Sequence, residues 1–372
     1  MSKKIFVFAA LISYSTFSYS QTYPSDKKAD FVFPGNSWEY VKDPYAQGWD
    51  TAKLKSLKQF IIDSANTTGM MVIQQGKVIF SYGDLKELSY IASCRKSVLS
   101  ILYGPFVENG KINLNSTLEQ INIDDINGLL PIEKKATIRN LLTARSGVYH
   151  EPSYSGDEYA FAPKRGSVQP GSFFLYNNWD FNLAGYLFEK LSGVGIYDAV
   201  DSMLAHPLNM EDWDKNIQHK DADTIKSMYP AYPMWFSTRD MARIGYLMLR
   251  NGRWKDKQIT TENWVNTITT SFTSTKEMKA FKSPYYKDGA YMRYFGYGYL
   301  WWVWDAPDSK GAYEGAYTAQ GNFGQYITVL PALDVVIAHK TKAAYDRYTS
   351  NYLTILTKLI AANNSELSAK DK

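Results

Sequence analysis

Hydrophobic and polar positions along the chain predict strands near its two ends. Apolar runs at Met70–Gly76 and Lys77–Gly83, which meet at a tight glycine turn, predict one pair of strands. The aromatic run Gly298–Trp304 predicts a further strand, and Phe323–Leu330 and Leu333–His339 predict a hairpin. Sheet-forming segments are therefore expected early and late in the sequence.

Between and beside these runs, apolar residues recur every three or four positions, which is typical of amphipathic helices. The helix that begins at Ser93 is expected to break or kink near Pro105, since proline removes a backbone donor. A final helix is expected from Asp346 to Ala362, followed by a frayed polar tail. The other helices are expected to start beside Asp50, Thr137, Asp180 and Ser237.

This order of elements predicts an α+β chain with two domains. Residues 21–105 and 225–372 are expected to form one domain with the sheet, and residues 106–224 a mostly helical domain inserted into it. Ligand sites often lie between domains, and the Ser93 helix begins the passage from one domain to the other.

Composition and charge narrow the class of protein. The 372 residues are 45% hydrophobic and 21% charged, which are globular values, and the net charge of +4 is spread along the chain. No basic cluster indicates nucleic-acid binding. The four histidines have no ligand spacing, so no metal is expected, and no cofactor either. The single Cys94 excludes an internal disulfide and is either a buried apolar side chain or a reactive thiol.

The first 20 residues have the pattern of a signal peptide. Lys3 and Lys4 precede the apolar run Ile5–Ile12, and the small residues Ser18 and Ser20 precede an expected cleavage point at Gln21. No later run of 18 apolar residues occurs, so no stable membrane insertion is expected. The pattern predicts a bacterial protein exported to the periplasm or the medium; the oligomeric state stays open.

The first chemical motif is an S-x-x-K pair, Ser93 and Lys96, at the head of an apolar run. In a helix these residues share a face, so the lysine amine lies one turn from the hydroxyl. A serine becomes a nucleophile when a nearby base takes its proton, and the helix start offers a free N–H to an oxyanion. Since Ser25 and Lys28 have the same spacing, the motif alone also fits an ordinary helix start.

Two further segments carry groups that could complete such a site. Tyr176 could transfer a proton beside a cation, and Asn178 offers an amide to a substrate; a core tyrosine and a helix cap are the simpler alternatives. The segment Ala316–Ile327 is expected to be a strand edge. Its glycines, Gly321 among them, would let the backbone come close to a ligand. Its N–H groups, that of Ala319 among them, could stabilise an oxyanion, or the segment is simply a hairpin end.

In order and approximate spacing, these pieces resemble the serine β-lactamase and penicillin-recognising superfamily, in its class C and esterase branch. The lesser stretches Thr137–Gly147, Pro170–Gly171 and Trp235–Asp240 are also similar to it. The resemblance covers nearly the whole mature chain. It implies a β-lactamase/transpeptidase-like fold, with an antiparallel sheet flanked by helices and a mostly helical inserted domain.

One departure from the family pattern concerns the substrate. Ala316-Tyr317-Thr318 stands where the family usually has Lys/His-Thr/Ser-Gly, so no cation is expected there to hold a substrate carboxylate. The carboxylesterases and 6-aminohexanoate-oligomer hydrolases of the same branch also lack that lysine. The resemblance is strongest to these two groups, and Gly321–Gln325 is most similar to the latter.

The sequence therefore predicts an exported serine hydrolase that cleaves a small ester or amide through an acyl-enzyme on Ser93. Lys96 and Tyr176 are expected to exchange protons, Asn178 and Gly321 to border the substrate, and the N–H groups of Ser93 and Ala319 to hold the oxyanion. The alternatives are a β-lactamase, a D,D-peptidase or a non-catalytic ligand-binding relative.

Overall fold

A computed structural model describes residues 31–154, 157–278, 291–306, 309–342 and 351–363. The predicted signal peptide, the start of the predicted final helix and the tail after residue 363 lie outside these ranges. The described residues from Val32 onward form one compact unit. Its helices are α1 Thr51–Ser64, α2 Cys94–Glu108, α3 Ile138–Leu142, α4 Asn178–Ser192, α5 Ile196–Ala199, α6 His206–Leu208, α7 Thr238–Leu249, α8 Glu262–Thr269, α9 Thr275–Met278 and α10 Tyr352–Ala362.

The strands of the described part are β1 Thr67–Gln74, β2 Lys77–Gly83, β3 Ser89–Tyr90, β4 Trp235–Phe236, β5 Arg253–Trp254, β6 Lys257–Gln258, β7 Phe295–Tyr297, β8 Trp302–Trp304, β9 Tyr317–Gly321, β10 Gln325–Leu330 and β11 Val335–Thr341. Seven of them form one antiparallel sheet, in the order β2-β1-β11-β10-β9-β8-β7. The first and last described strands, β1 and β11, are neighbours in the interior of this sheet. The short strands β3 and β4 pair separately, as do β5 and β6.

Side-chain alternation along β10 shows which helices cover each face of the sheet. On one face Tyr326 stacks on Tyr352 of α10, with ring centroids 3.9 Å apart. On the other face Gly245 of α7 lies so close to Ile327 that a Cβ on it would be 2.9 Å from that side chain. Gly321 of β9 belongs to this second face, since it pairs with Gln325. The second face is the one that the start of α2 meets.

The fold class is confirmed: the chain is a mixed α+β protein of the β-lactamase/transpeptidase type, built around a large antiparallel sheet. The predicted hairpins are also present. The first hairpin, between β1 and β2, reverses at Gln75 and Gly76, and both residues have a positive φ, as this type of two-residue turn requires. Between α2 and β4 the described residues form helices and loops apart from isolated bridges. The division into domains at residues 105 and 225 stays a prediction.

Two expectations about single elements are corrected. The helix that begins after Ser93 does not break at Pro105 but continues to Glu108, because its residues as far as Gly104 are buried and packing outweighs the local cost of proline; a kink there stays a prediction. The predicted strand Gly298–Trp304 is a turn followed by β8, with the Gly298 N–H donating to the Trp301 carbonyl. An apolar run that is buried on all sides does not reveal such a reversal.

Candidate active site

Ser93 lies at the N-cap position of α2, immediately after a strained residue. Ala92 has a φ of 48°, in the left-handed region that side chains rarely adopt, and this turn brings Ser93 to the head of the helix. Ser93 is partly exposed, whereas the α2 residues that follow it as far as Ser100 are buried. In the described structure its hydroxyl does not cap the helix. The Ser93 hydroxyl is therefore not engaged by the helix end and is free to face the solvent and Lys96, the other residue of the S-x-x-K motif.

Lys96 is the centre of the site. Its side chain is only 1% exposed, and its amine lies 3.0 Å from the Ser93 hydroxyl oxygen. The same amine is 2.8 Å from the Tyr176 hydroxyl and 2.8 Å from the Asn178 amide oxygen. The structure thus brings four residues singled out from the sequence into one hydrogen-bonded group, although Tyr176 and Asn178 lie 80 and 82 positions from Lys96.

Aromatic rings hold this group in place. The Lys96 amine lies 4.2 Å from the centroid of the Tyr176 ring and 4.3 Å from that of Phe181, within the range of cation–π contacts. Tyr176 in turn stacks on Trp302 of β8, with centroids 5.3 Å apart and planes at 27°. Since a stacked ring cannot swing freely, the Tyr176 hydroxyl is held towards the lysine.

The simpler alternative, that Asn178 caps the helix α4, is wrong. That position belongs to Asn177, whose side-chain oxygen accepts the Trp179 N–H at 3.1 Å. Asn178 is the first residue of the helix and accepts from Lys96, and it is partly exposed. Its amide group therefore lies at the border between the buried lysine and the solvent.

On the other side of Ser93, strand β9 approaches the segment that precedes the serine. A Cβ on Gly321 would lie 2.4 Å from the Ile91 carbonyl oxygen and 3.2 Å from the Ala92 Cβ, so only glycine fits there. Gly321 thus lies close to the protein's own backbone, and its expected place beside a substrate stays a prediction. Ala319 is fully buried in the same strand, and its role as an oxyanion donor stays a prediction.

The residues in place of the family's Lys/His-Thr/Ser-Gly motif are all buried. Tyr317 packs its ring edge-to-face on Trp301, with centroids 5.4 Å apart. The Thr318 hydroxyl lies 2.9 Å from that of Thr328, which lies 2.5 Å from the Tyr352 hydroxyl. These hydroxyls belong to the sheet face covered by α10, so Thr318 offers no hydroxyl to a substrate near Ser93.

Cys94 is a buried side chain and not an exposed thiol. Its Sγ lies 3.3 Å from the Gln325 carbonyl oxygen, and burial raises the pKa of the thiol far above its usual value. Within the described residues, no group of three or more His, Cys, Asp or Glu side chains is arranged to hold a metal ion. No helix of the described part is long and apolar enough to cross a bilayer.

The sequence analysis gave Ser146 no role and treated Asp180 only as the start of a helix. The Ser146 hydroxyl donates to Asp180 Oδ1 at 2.6 Å, and both side chains are buried. Burial raises the pKa of the Asp180 carboxyl well above its usual range, and the hydrogen bonds from Ser146 oppose that rise. One signal in the sequence was available, since an acidic residue three positions after an Asn cap indicates a first helical turn.

Comparison with known proteins agrees with this fold. The Beta-lactamase family model matches residues 61–356, which is most of the chain. The chain therefore belongs to the Beta-lactamase family, whose members include serine hydrolases that act on amide and ester bonds.

Solved structures share the fold at low sequence identity. A candidate 6-aminohexanoate-dimer hydrolase from Bacillus anthracis has a TM-score of 0.62 at 19% identity, over 84% of this chain and 82% of that one. EstCE1, a hydrolase with promiscuous acyltransferase activity, has a TM-score of 0.61 at 15% identity, over 85% and 100%. An octameric penicillin-binding protein homologue from Pyrococcus abyssi has a TM-score of 0.59 at 20% identity, over 85% and 78%.

Proposed function

We propose that this chain is an exported serine hydrolase that cleaves small esters or amides through an acyl-enzyme on Ser93. The observation that carries the proposal is the position of the Lys96 amine, within hydrogen-bond distance of the Ser93 and Tyr176 hydroxyls. A nucleophile, a base and a group that orients the base are the parts that covalent catalysis requires. A protein that only binds a ligand has no need of all three.

In the proposed reaction the Ser93 oxygen attacks the substrate carbonyl while its proton passes to the Lys96–Tyr176 pair. The N–H groups of Ser93 and Ala319 stabilise the oxyanion. The pair then gives the proton to the leaving alcohol or amine as the carbonyl–heteroatom bond breaks. A water molecule, deprotonated by Tyr176, attacks the acyl-enzyme and releases the acid, and the proton returns to Ser93. Asn178 holds the substrate beside the nucleophile.

The proposal that neutral esters and linear amides are better substrates than β-lactams rests on strand β9. The motif position is Ala316–Thr318, which has no cation, and the Thr318 hydroxyl is hydrogen-bonded on the opposite face of the sheet. A substrate carboxylate would lose a charge-assisted hydrogen bond worth about 1.5–3 kcal/mol. That loss corresponds to a factor of about 10–100 in binding or rate. Short neutral esters need no such anchor.

The test compares substrates on one preparation of the protein. We expect hydrolysis of short-chain p-nitrophenyl esters, cleavage of linear amides and poor turnover of a chromogenic cephalosporin, with all activity lost in Ser93→Ala. A fluorophosphonate should label the Ser93 peptide in mass spectrometry. A larger kcat/KM for the cephalosporin would replace the esterase/amidase assignment by the β-lactamase alternative, and an unlabelled protein would favour the non-catalytic alternative.

A further inference from the structure

Tyr176 and Asn178, the Lys96 partners at the start of α4, lie on a short segment that several hydrogen bonds hold in place. Tyr176 and Asn178 lie between residues that are each tied to the loop Ala144–Val148. The anchoring hydrogen bonds are Leu175 N–H to Ala144 O at 2.9 Å, Asn177 Nδ2 to Val148 O at 2.8 Å and Ser146 Oγ to Asp180 Oδ1 at 2.6 Å. The loop therefore supports the segment on both sides of each Lys96 partner.

The Ser146–Asp180 pair is the anchor at the helix end of this segment. Asp180 is only 1% exposed, and Ser146 donates both its hydroxyl, at 2.6 Å, and its N–H, at 3.4 Å, to the carboxylate. The Ser146 oxygen in turn accepts the Val148 N–H at 3.0 Å. A buried carboxylate is costly unless such bonds satisfy it, so the pair holds the loop and the first turn of α4 in one relative position.

We propose that Asp180 is a positioning residue for the reaction, and that through Ser146 it holds Tyr176 and Asn178 against the Lys96 amine. The inference rests on the proposed function, since it assigns Asp180 a part in the reaction on Ser93. Asp180 need not touch the substrate. Without the Ser146–Asp180 bonds, the start of α4 is free to shift relative to the loop, and the Tyr176 hydroxyl moves with it.

Asp240 provides a matched control within the same chain. It too is the third residue after a helix cap, Ser237 of α7, and it too is fully buried. Its carboxylate accepts the N–H groups of Glu211 and Asp212 at 2.7 Å and 3.1 Å. Replacing it with asparagine removes the same kind of carboxylate from the same helical position, but α7 supplies none of the Lys96 partners.

The experiment measures how fast a fluorophosphonate labels Ser93 in the full chain and in Asp180→Asn, Ser146→Ala and Asp240→Asn. Thermal unfolding of each variant sets an assay temperature at which all are folded. We expect Asp180→Asn and Ser146→Ala to slow labelling by about 10- to 100-fold, since displacing reacting groups by about 1 Å has effects of this size. Asp240→Asn should stay within about threefold of the wild type, because distant sites act independently.

Steady-state kinetics adds a readout that a loss of stability alone would not give. We expect kcat for a p-nitrophenyl ester to fall in Asp180→Asn while KM changes little. If Asp180 acts through Tyr176, Asp180→Asn should cost much less in a Tyr176→Phe background than in the wild type.

Wild-type labelling of Ser93 with unchanged rates in Asp180→Asn and Ser146→Ala would overturn the positioning role and leave the proposed function intact. A rate loss in Asp240→Asn equal to that in Asp180→Asn would overturn it as well, as an effect of stability. If the wild type is not labelled at Ser93, the proposed function fails and the positioning role fails with it. If Asp180→Asn does not fold, Ser146→Ala decides the outcome.

Discussion

Gly321→Ala is the substitution whose effect follows most directly from the geometry around Ser93. Gly321 needs no special backbone conformation, so only space opposes a side chain there. The added Cβ would lie 2.4 Å from the Ile91 carbonyl oxygen, whereas carbon–oxygen contacts between strands are about 3.3–3.6 Å. Strand β9 and the segment Ile91–Ala92 must therefore separate by about 1 Å.

This displacement moves the backbone on both sides of the proposed oxyanion site. The Ile91–Ala92 segment leads into Ser93, and β9 carries Ala319, so the two proposed N–H donors move apart. A shift of about 1 Å can cost about 100-fold in rate, and we expect kcat/KM for an ester to fall by about that factor. The overpacking should also lower the free energy of unfolding by about 1–3 kcal/mol.

Gly245→Ala separates the two effects. A Cβ on Gly245 would lie 2.4 Å from Val336 Cγ1, so this variant is also overpacked, but between α7 and the sheet. We expect a similar loss of stability by thermal unfolding with kcat/KM nearly unchanged at a temperature where both variants are folded. Equal losses of kcat/KM in the two glycine variants, or none in Gly321→Ala, would refute the argument from displacement.

Three further predictions concern single groups. Lys96→Ala and Tyr176→Phe should each lower kcat/KM about 100-fold or more, and the double variant should be little worse than the poorer single one; additive losses would mean separate roles. Burial raises the pKa of Asp240 to about 6, so the folded state keeps a proton that the unfolded chain releases near pH 4. Its contribution to stability should therefore fall as pH rises from about 4 to 6, by up to about 1.4 kcal/mol per unit. Asp240→Asn should remove this contribution from the pH slope measured by chemical denaturation, and an unchanged slope would contradict the raised pKa. Cys94 should resist iodoacetamide in the folded protein and react after unfolding; rapid native alkylation, measured by mass spectrometry, would contradict its burial.

The sequence revealed the parts of the site that depend on local spacing. Ser93 and Lys96 share a helical face, and this follows from three residues of separation. The approach of Tyr176 and Asn178 to that lysine could be inferred only from the resemblance, since nothing local encodes a contact across 80 positions or more. Cap preference alone does not choose Asn177 over Asn178, because adjacent asparagines suit that position equally well; only the three-residue spacing to Asp180 favours Asn177.

Other features depend on packing that no short pattern records. The contact between Ser146 and Asp180 joins residues 34 positions apart, and each alone looks like an ordinary loop or helix-start residue. The glycine pattern at Gly321 predicted a close approach but not its partner, which is the backbone at Ile91. Pro105 indicated a break or kink because local propensity opposes proline within a helix, and burial of α2 outweighed that propensity so that the helix does not break.

The position of β1 in the sheet has a consequence for how the chain reaches its native state. β1 lies between β2 and β11, and Met70 pairs with His339, which lies more than two thirds of the sequence away. Contacts between such distant positions must wait for a large loop to close, which slows folding. During synthesis β1 has only β2 to pair with until the ribosome has released β11. The central sheet, and with it the support beneath Ser93, can therefore be completed only after translation is nearly finished.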